Sequence, residues 1–546
     1  MAKEEFSYLK YINPAPASRH FLTDEEIGEF APEVDLEPGK ASEGGVPVYT
    51  RDGKKAAILG SDRHALVIGA TGSMKTRAVL IPTLYSLACH GENMIVSDPK
   101  GEIFEKTSGF LKKNGYEVHC LNFRDGKKSS TWNPLDLPYA FLREGNVDRS
   151  IELVTGFASI LCNKLKSERD PYWHSAAKQL IQGLSFLLMS LAEKPEQVTV
   201  NNVMACLAEI SAEEGEYTEN FSKLVNSLPG TSFISRYLTG TVNNAKNTAR
   251  CITSLATTAL GPFDGASIKR LTSKTSFCYQ DFADPRKKVA FFIVVPDETD
   301  TFNGITATFV KEIYEYLIDQ ASKRPTLALP RRLNFLLDEF ANLPKIDGIT
   351  SMISAARSRN IRFYLVVQNN AQLEATYGRA LAQTIKYNCQ NWIFLASREA
   401  ELLSEVRSVI GGDPEPLASI ADLSSLSIRF PRVESIVLND RSNPYFARLL
   451  DMSRYPGLWK EAGPNPNNPI PYPAAYPSTR QGAVHDFDLA KFVAEEVDDD
   501  AEDVLVEYLT LKEQGVSKES YKAFKKSRHG QELLKRKKEF NDFNII

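Results

Sequence analysis

Short apolar runs alternate with helix-length amphipathic stretches in two separate parts of the chain. The first part has apolar runs at 64–68, 93–97 and 116–122, with helical patterns at 77–90 and 103–113 between them. The second part has apolar runs at 289–295, 333–337, 361–367 and 391–396, and helical patterns at 304–322, 346–358, 379–386 and 399–410. Short, continuously apolar strands separated by helices are typical of parallel sheets covered on both faces. The pattern therefore predicts an α/β fold.

A stretch without strand patterns separates these two parts. Long helical patterns dominate it, at 148–166, 172–192, 200–210, 220–226 and 243–260. We therefore predict an all-α domain inserted between strands of the α/β domain. The predicted division is an N-terminal lead-in with a small strand near 47–50 (1–55), the first α/β part (56–145), the all-α insert (146–275), the second α/β part (276–455) and a C-terminal tail (456–546).

The composition changes sharply in the tail. Residues 464–477 are proline-rich, which stiffens a chain and excludes regular structure. An acidic cluster follows at 495–503, and lysines and arginines alternate with apolar residues at helical spacing over 518–538. We predict a linker, an acidic segment and a short basic amphipathic helix, which together form a docking segment.

Charge and cysteine content narrow the class of protein. The 546 residues carry a formal net charge of −4, so any contact with nucleic acid must be local. The seven cysteines are scattered without a C-x-x-C pair, which fits a reducing compartment and argues against a disulfide framework or a zinc site. No apolar run approaches ~18 residues, and the N-terminus does not resemble a signal peptide. We therefore expect a soluble, cytoplasmic protein.

The run GATGSMKT (69–76) lies between the first apolar run and the first helical pattern. A strand, a glycine-containing turn and a helix N-terminus form the layout of a phosphate-binding loop, although an ordinary strand–turn–helix corner has the same pattern. In such a loop Lys75 would reach the β- and γ-phosphates, and the Thr76 hydroxyl would bind Mg²⁺. Met74 stands where the second glycine of this motif is expected. The candidate loop residues are Gly69, Ala70, Thr71, Gly72, Ser73, Met74, Lys75 and Thr76.

A pair of carboxylates follows the apolar run 333–337. Because successive residues of a strand face opposite sides, Asp338 and Glu339 can have different roles. Asp338 would hold Mg²⁺ through water, and Glu339 would orient and deprotonate an attacking water. The alternative is a strand that simply ends in a solvated acidic turn.

Three further polar positions have two interpretations each. Gln368 ends the apolar run 361–367, where it would sense a γ-phosphate or the attacking water, or would only end the strand. Asp98 would support Mg²⁺ or cap the next helix. An arginine within 355–362 would stabilise transition-state charge in a neighbouring subunit, or would belong to a solvated basic helix end.

Taken together, these motifs resemble the conjugative coupling ATPases of type IV secretion. The similarity spans most of 56–455. It rests on GATGSMKT (69–76), SDPKGE (97–102), WNPLD (132–136), DPYWHSAAKQLIQGL (170–184), FFIVVPDE (291–298), LLDEFANLPKI (336–346) and AARSRNIRFYLVVQ (355–368).

The resemblance implies a RecA-like P-loop nucleotide-binding domain with an inserted all-α domain. It also implies ATP and Mg²⁺ as ligands, with the phosphate-binding lysine at Lys75, the magnesium hydroxyl at Thr76 and the acidic pair at Asp338 and Glu339. The arginine finger falls on Arg357, with Arg359 and Arg362 as alternatives, and the strand-end glutamine falls on Gln368. Most relatives begin with two membrane-spanning helices, which this sequence does not show, so we expect membrane docking to need a partner.

The resemblance further implies an ATP-driven motor, a homo-oligomer that forms a hexameric ring when active. Its expected partners are single-stranded DNA, a relaxase with accessory relaxosome proteins, and type IV secretion channel proteins at the cytoplasmic face of the inner membrane. Two alternatives stay open: a ring ATPase that acts on protein substrates only, and a nucleotide-gated substrate adaptor with weak hydrolysis. Stimulation of turnover by DNA distinguishes the first from the second, and turnover itself distinguishes both from the third.

Overall fold

The computed structural model describes residues 19–458, apart from 127–128, 164, 166–170, 193, 212–215, 229–231, 297, 413–415 and 441. The predicted linker, acidic segment and basic helix at 464–546 lie outside the described residues. Within the described ranges, no helix has both the length and the apolarity that crossing a membrane requires. The described chain divides into two compact units, of which one contains 19–130 and 277–458 and the other contains 131–276.

The first unit contains every strand of the described residues. They are β1 (Glu33–Asp35), β2 (Val46–Thr50), β3 (Lys55–Leu59), β4 (Ala65–Ile68), β5 (Asn93–Ser97), β6 (Glu117–Asn122), β7 (Val289–Val294), β8 (Leu333–Leu337), β9 (Ile361–Val367), β10 (Asn391–Phe394), β11 (Ile428–Arg429), β12 (Arg432–Asn439) and β13 (Tyr445–Leu450).

Both units contain helices. Before the second unit come α1 (Ile81–His90) and α2 (Glu102–Lys113); α1 is preceded by a π-helical turn, Lys75–Leu80. The second unit is built of α3 (Asp136–Arg143), α4 (Val147–Asn163), α5 (Pro171–Leu191), α6 (Val200–Ile210), α7 (Glu216–Ser227), α8 (Phe233–Val242), α9 (Lys246–Leu260) and α10 (Ala266–Leu271). The first unit then continues with α11 (Asn303–Ser322), α12 (Ile349–Ala356), α13 (Asn370–Tyr377), α14 (Arg379–Asn388), α15 (Ala400–Ile410) and α16 (Ile420–Ser424).

The ten-stranded sheet has the order β11-β12-β10-β4-β9-β8-β5-β7-β6, with β13 paired to β12. From β10 to β6 all neighbours are parallel, and β11, β12 and β13 are antiparallel to their neighbours. β4, β5, β7, β8, β9 and β10 are buried along their whole length, which explains why their sequences are mostly apolar. The parallel α/β prediction is confirmed, and the carboxyl ends of β4, β9 and β8 lie side by side at one edge.

The antiparallel strands are the main difference from the sequence prediction. A second sheet, β1-β3-β2, joins strands of the N-terminal lead-in to β3 at the start of the predicted α/β part, and only the strand near 47–50 was predicted. The hairpin of β12 and β13 extends the main sheet and was not predicted either. These strands are short or polar on one side, so their patterns do not stand out from loops. Helices α3, α8, α10, α13 and α16 were missed in the same way.

A buried guanidinium joins the amino-terminal ends of the central strands. Arg362 of β9 is 1% exposed. Its Nε donates to Asn334 Oδ1 of β8 (2.9 Å), and its Nη2 donates to Glu92 Oε2 (2.8 Å) and to the Gly44 carbonyl (3.0 Å). Its Nη1 donates to the Ser61 carbonyl (2.7 Å). The hydrogen bonds thus connect β8 and β9 to the residues before β2, β4 and β5.

Glu92 is the only carboxylate bonded to Arg362 among the described residues, and it is equally buried. Burial by itself raises the pKa of Glu92, but the charge of Arg362 and hydrogen bonds from His90 and Asn334 outweigh it and lower the pKa. The carboxylate is therefore ionised at neutral pH, and the two buried charges depend on each other.

We expect Arg362→Met to destabilise the first unit by about 3–5 kcal/mol, because it leaves the Glu92 carboxylate buried without its partner. Adding Glu92→Gln should restore part of this loss, since the uncompensated charge is then removed. Urea unfolding of the full chain measures both effects. Arg286→Met is the control, because its pair with Asp284 is solvent-exposed and should change stability by less than about 1 kcal/mol. Equal midpoints for Arg362→Met and the control would contradict this role of the buried pair.

Candidate functional site

The backbone at 69–74 turns sharply between β4 and the helix that follows. The Gly69 N–H donates to the Val367 carbonyl (3.3 Å), and the Ala70 N–H donates to the Ala396 carbonyl (3.0 Å), which ties the loop to the neighbouring strands. A side chain at Gly69 would force its neighbours to shift, because a Cβ there would lie 2.6 Å from Ser73 Oγ and 2.9 Å from Leu395 Cβ. Gly72 has φ +79°, a conformation that glycine adopts without strain.

Met74 occupies the position where the loop motif has its second glycine. Its φ is +69° and its ψ is 23°, which is the left-handed region. The backbone therefore has the conformation that favours glycine, although the residue is methionine. For a residue with a Cβ this conformation costs roughly 1–2 kcal/mol. The side chain is partly buried and packs against the hydrophobic core of the first unit.

The ammonium group of Lys75 points into the loop. It is 7% exposed, and its Nζ donates to the carbonyls of Gly69 (2.6 Å) and Ala70 (3.1 Å). Burial lowers the pKa of Lys75, and the charges of Glu339 and Asp338 partly oppose this effect. In the described part of the chain the hydrogen bonds of this ammonium go to backbone carbonyls and not to a carboxylate. A nearby anion would therefore stabilise it.

The loop also meets the carboxylate at the end of β8. Thr76 Oγ1 donates to Asp338 Oδ2 (3.3 Å). Burial, followed by the charge of Glu339, raises the pKa of Asp338 to about 6, while Lys75 opposes the rise. Ser73 Oγ is buried and has no hydrogen-bond partner within the described ranges.

These oxygen atoms are of the kind that Mg²⁺ prefers, since it binds through one or two carboxylates together with phosphates and waters. The hydroxyl of Thr76 and the carboxylate of Asp338 already lie together, and a cation would favour the ionised form of Asp338. The site therefore fits a magnesium ion held by these two residues.

Gln368 bridges the second carboxylate to the loop. Its Nε2 donates to both carboxylate oxygens of Glu339, each at 2.9 Å, and its Oε1 accepts from Thr71 Oγ1 (2.9 Å). Glu339 has φ +52° and ψ 42°, so a non-glycine residue is again held in the left-handed region. Strained backbone of this kind concentrates at functional sites. The structure thus brings together Thr71, Gln368 and Glu339, of which Thr71 was expected only as part of the loop.

Asp98 lies beside this group and caps a helix. Its Oδ2 accepts from the Phe104 N–H in the first turn of α2 (2.8 Å). Burial raises the pKa of Asp98 to about 7, and the charge of Asp338 adds to the rise. Of the two interpretations that the sequence left open, the structure supports the cap.

Arg357 does not lie with the other predicted residues. It opens the short 3₁₀ turn Arg357–Arg359 ahead of β9, whereas Gln368 follows the same strand. The seven residues of β9 separate these two ends by roughly 20 Å. Arg357 Nε donates to Asp62 Oδ2 (2.5 Å), and both side chains are almost half exposed. Arg357 therefore lies at the opposite edge of the sheet from the loop of its own subunit.

Of the two alternatives to Arg357, one is excluded. Arg362 is enclosed by the buried network described above and cannot reach another subunit, so its assignment as a finger candidate was wrong. Arg359 lies beside Arg357 and is partly buried.

Comparison with known proteins assigns the chain to a family. Residues 25–411 match the family described as "Type IV secretory system Conjugative DNA transfer". The chain belongs to the type IV coupling protein family.

Two curated relatives show how far this coupling protein resembles others. It is 23% identical over 377 residues to the conjugal transfer protein TraG of Escherichia coli, which covers 66% of this chain and 58% of TraG. It is 25% identical over 362 residues to the protein VirD4 of Rhizobium radiobacter, which covers 64% of this chain and 48% of VirD4. The coupling protein thus spans about half the length of these relatives.

Solved structures support the RecA-like fold with an all-α domain. The plasmid coupling protein TrwB in complex with the ATP analogue ADPNP superposes with a TM-score of 0.54 at 15% identity, covering 80% of this chain and 95% of TrwB. TrwB in complex with ADP and Mg²⁺ gives 0.53 at 16% identity, covering 79% and 93%. At such identities the likeness shows the fold.

The left-handed backbone of Met74 leads to a prediction that compares two small substitutions. Met74→Gly and Met74→Ala both remove the side chain beyond Cβ, but only glycine relieves the backbone strain. We therefore expect the glycine variant of this coupling protein to be more stable than the alanine variant by about 1–2 kcal/mol. Urea unfolding measures the difference, and a more stable alanine variant would show that position 74 is not left-handed. Gly28, whose φ is not in the left-handed region, gives the control when replaced by Ala.

Proposed function

We propose that this coupling protein is an ATP-hydrolysing motor that passes single-stranded DNA, with its bound relaxase, to a type IV secretion channel. The observation that carries the proposal is the hydrogen-bonded chain from the loop hydroxyl of Thr71 through Gln368 to the Glu339 carboxylate. It connects a candidate general base to the loop where a terminal phosphate would lie.

In the proposed mechanism residues 69–76 hold the phosphates of ATP. Lys75 would exchange the Gly69 and Ala70 carbonyls for β- and γ-phosphate oxygens, which supply the negative charge that its buried ammonium lacks. Thr76 and Asp338 would hold Mg²⁺, which neutralises charge on the phosphates when bound. The TrwB complexes with ADPNP and with ADP and Mg²⁺ support both ligands.

Glu339 would accept the proton of the attacking water. Gln368 now donates to both of its oxygens, so an attacking water would share the carboxylate with this amide. A γ-phosphate near Thr71 would draw the Gln368 side chain toward the loop. The hydrogen bonds from Gln368 to the candidate base Glu339 would in this way depend on whether ATP is bound.

Arg357 would complete the site of a neighbouring subunit. Since it lies roughly 20 Å from Gln368 across the sheet, it cannot serve the nucleotide of its own subunit. In a homo-oligomeric ring, of which a hexamer is the expected form, the exposed edge that bears Arg357 would face the loop of the next copy. Its charge would then stabilise the transferring phosphoryl group.

The substrate assignment rests on the family and on its relatives, which are described as conjugal transfer and coupling proteins. We propose that the helical unit meets single-stranded DNA, the relaxase and accessory relaxosome proteins, and that the ring acts at channel proteins on the cytoplasmic face of the inner membrane. A ring that moves proteins only and an adaptor with weak hydrolysis are the alternatives.

We expect the full chain to hydrolyse ATP, and we expect single-stranded DNA to raise the rate of hydrolysis. The stimulation should be smaller at high salt, because the motor binds the phosphates of the DNA backbone. Steady-state turnover with and without DNA at two salt concentrations measures this. Glu339→Gln should bind the ATP analogue normally and lose roughly 10²–10⁴ in rate, whereas Lys75→Ala should lose binding.

These measurements also distinguish the alternatives. Turnover that ignores DNA would favour the protein-only ring, and turnover no faster than that of Glu339→Gln would favour the adaptor. Glu401→Gln, on the exposed face of α15 and paired with the exposed Arg379, is a control carboxylate that should behave as wild type.

A mixed-ring experiment tests the role of Arg357 in the neighbouring subunit. Arg357→Ala and Lys75→Ala proteins should each turn over poorly alone, because the finger is worth roughly 10³–10⁵ in rate and the lysine is needed for binding. Mixed under assembling conditions, they should regain activity wherever an intact Lys75 loop faces an intact Arg357. If rings shown to contain both proteins stay inactive, Arg357 does not act across the interface.

A further inference from the structure

We propose that Asp62 is a positioning residue that holds Arg357 ready for the nucleotide of the neighbouring subunit. This inference rests on the proposed function, in which Arg357 acts across a subunit interface. Asp62 lies between β3 and β4, at the amino-terminal edge of the sheet where Arg357 also lies. Its Oδ2 accepts the hydrogen bond from Arg357 Nε at 2.5 Å.

Asp62 binds only one side of the Arg357 guanidinium and leaves the Nη groups available. The carboxylate takes the Nε side of Arg357, and no hydrogen bond within the described residues engages its Nη1 or Nη2. Arg357 is 45% exposed and Asp62 is 43% exposed, so both face solvent in the single subunit. The two Nη groups form the fork that binds phosphate oxygens in a bidentate manner.

The backbone that carries Asp62 is fixed by its neighbours. Ser61 has φ +61°, and its carbonyl accepts from Arg332 Nη1 (2.7 Å) and Arg362 Nη1 (2.7 Å). Its N–H donates to the Glu43 carboxylate. Three separate contacts hold the strained residue Ser61 in place, so the backbone of the adjacent Asp62 is also fixed.

A contribution to the stability of the fold does not account for the Asp62–Arg357 pair. Exposed ion pairs contribute little to folding, because water screens them and because two long side chains lose rotamer freedom. Ordering an arginine in advance, however, removes that entropy cost from the moment when the phosphate is contacted. The hydrogen bond and charge of Arg357 outweigh burial and lower the pKa of Asp62, so the carboxylate is ionised whenever the finger is needed.

The test uses the full chain under assembling conditions with ATP, Mg²⁺ and single-stranded DNA. We expect Asp62→Ala to lower kcat about tenfold, the order of the cost of ordering a free arginine, and to leave KM and the affinity for the ATP analogue unchanged. Asp62→Asn should lose only about threefold, because a neutral acceptor keeps about half of the hydrogen-bond strength. In the Arg357→Ala background, Asp62→Ala should cause no further loss.

Asp440→Ala is the control, since Asp440 is about as exposed as Asp62 and also pairs with an arginine, the more buried Arg63 (3.0 Å). It should leave kcat unchanged. A further loss in the Arg357→Ala background, an equal loss of nucleotide affinity, or a kcat that rises in Asp62→Ala would overturn the positioning role. So would a normal Asp62→Ala protein alongside an impaired Arg357→Ala protein. Normal turnover in Arg357→Ala would instead overturn the proposed finger itself, and the inference with it.

Discussion

The buried hydrogen bond between Arg362 and Glu92 fixes the sheet on which everything else is placed. The pair holds β8 and β9 at their amino-terminal ends and connects them to the turns before β2, β4 and β5. Parallel strands that start in register also end in register, so contacts at one edge determine which side chains meet at the other. Glu339 and Gln368 meet beyond the carboxyl ends of the same two strands whose register pairs Asn334 with Arg362 at the amino edge.

The two edges differ in chemistry. At the carboxyl edge, two non-glycine residues, Met74 and Glu339, hold left-handed backbone, and a lysine is buried against carbonyls. Each of these features costs free energy, and the fully buried strands beneath them supply the rigidity that keeps them in place. At the amino edge, the Arg362–Glu92 pair is buried, whereas the Arg357–Asp62 pair is exposed. The sheet thus separates the candidate nucleotide site from the surface proposed for a second subunit.

Sequence patterns predicted the parallel strands and singled out most residues of the candidate site, because both depend on local signals. The continuous apolar runs gave the bounds of β5, β8 and β9, and the polar residues that end such runs were the right candidates for the edge. The bridge from Thr71 through Gln368 to Glu339 was not predictable in detail, since its members lie almost 300 residues apart. Arg362 was an alternative for the arginine finger for the same reason. An arginine in a basic run resembles a surface residue as long as its distant partner, Glu92, is not known.

The double hydrogen bond from Gln368 to Glu339 also has a consequence for a subunit that is alone. Under the proposed function, Gln368 would compete with water for this carboxylate, and the arginine of another copy would be missing, so a single subunit would hydrolyse ATP slowly. Free copies would then coexist with ATP without consuming it. Consumption would begin only where a ring had formed around its substrate.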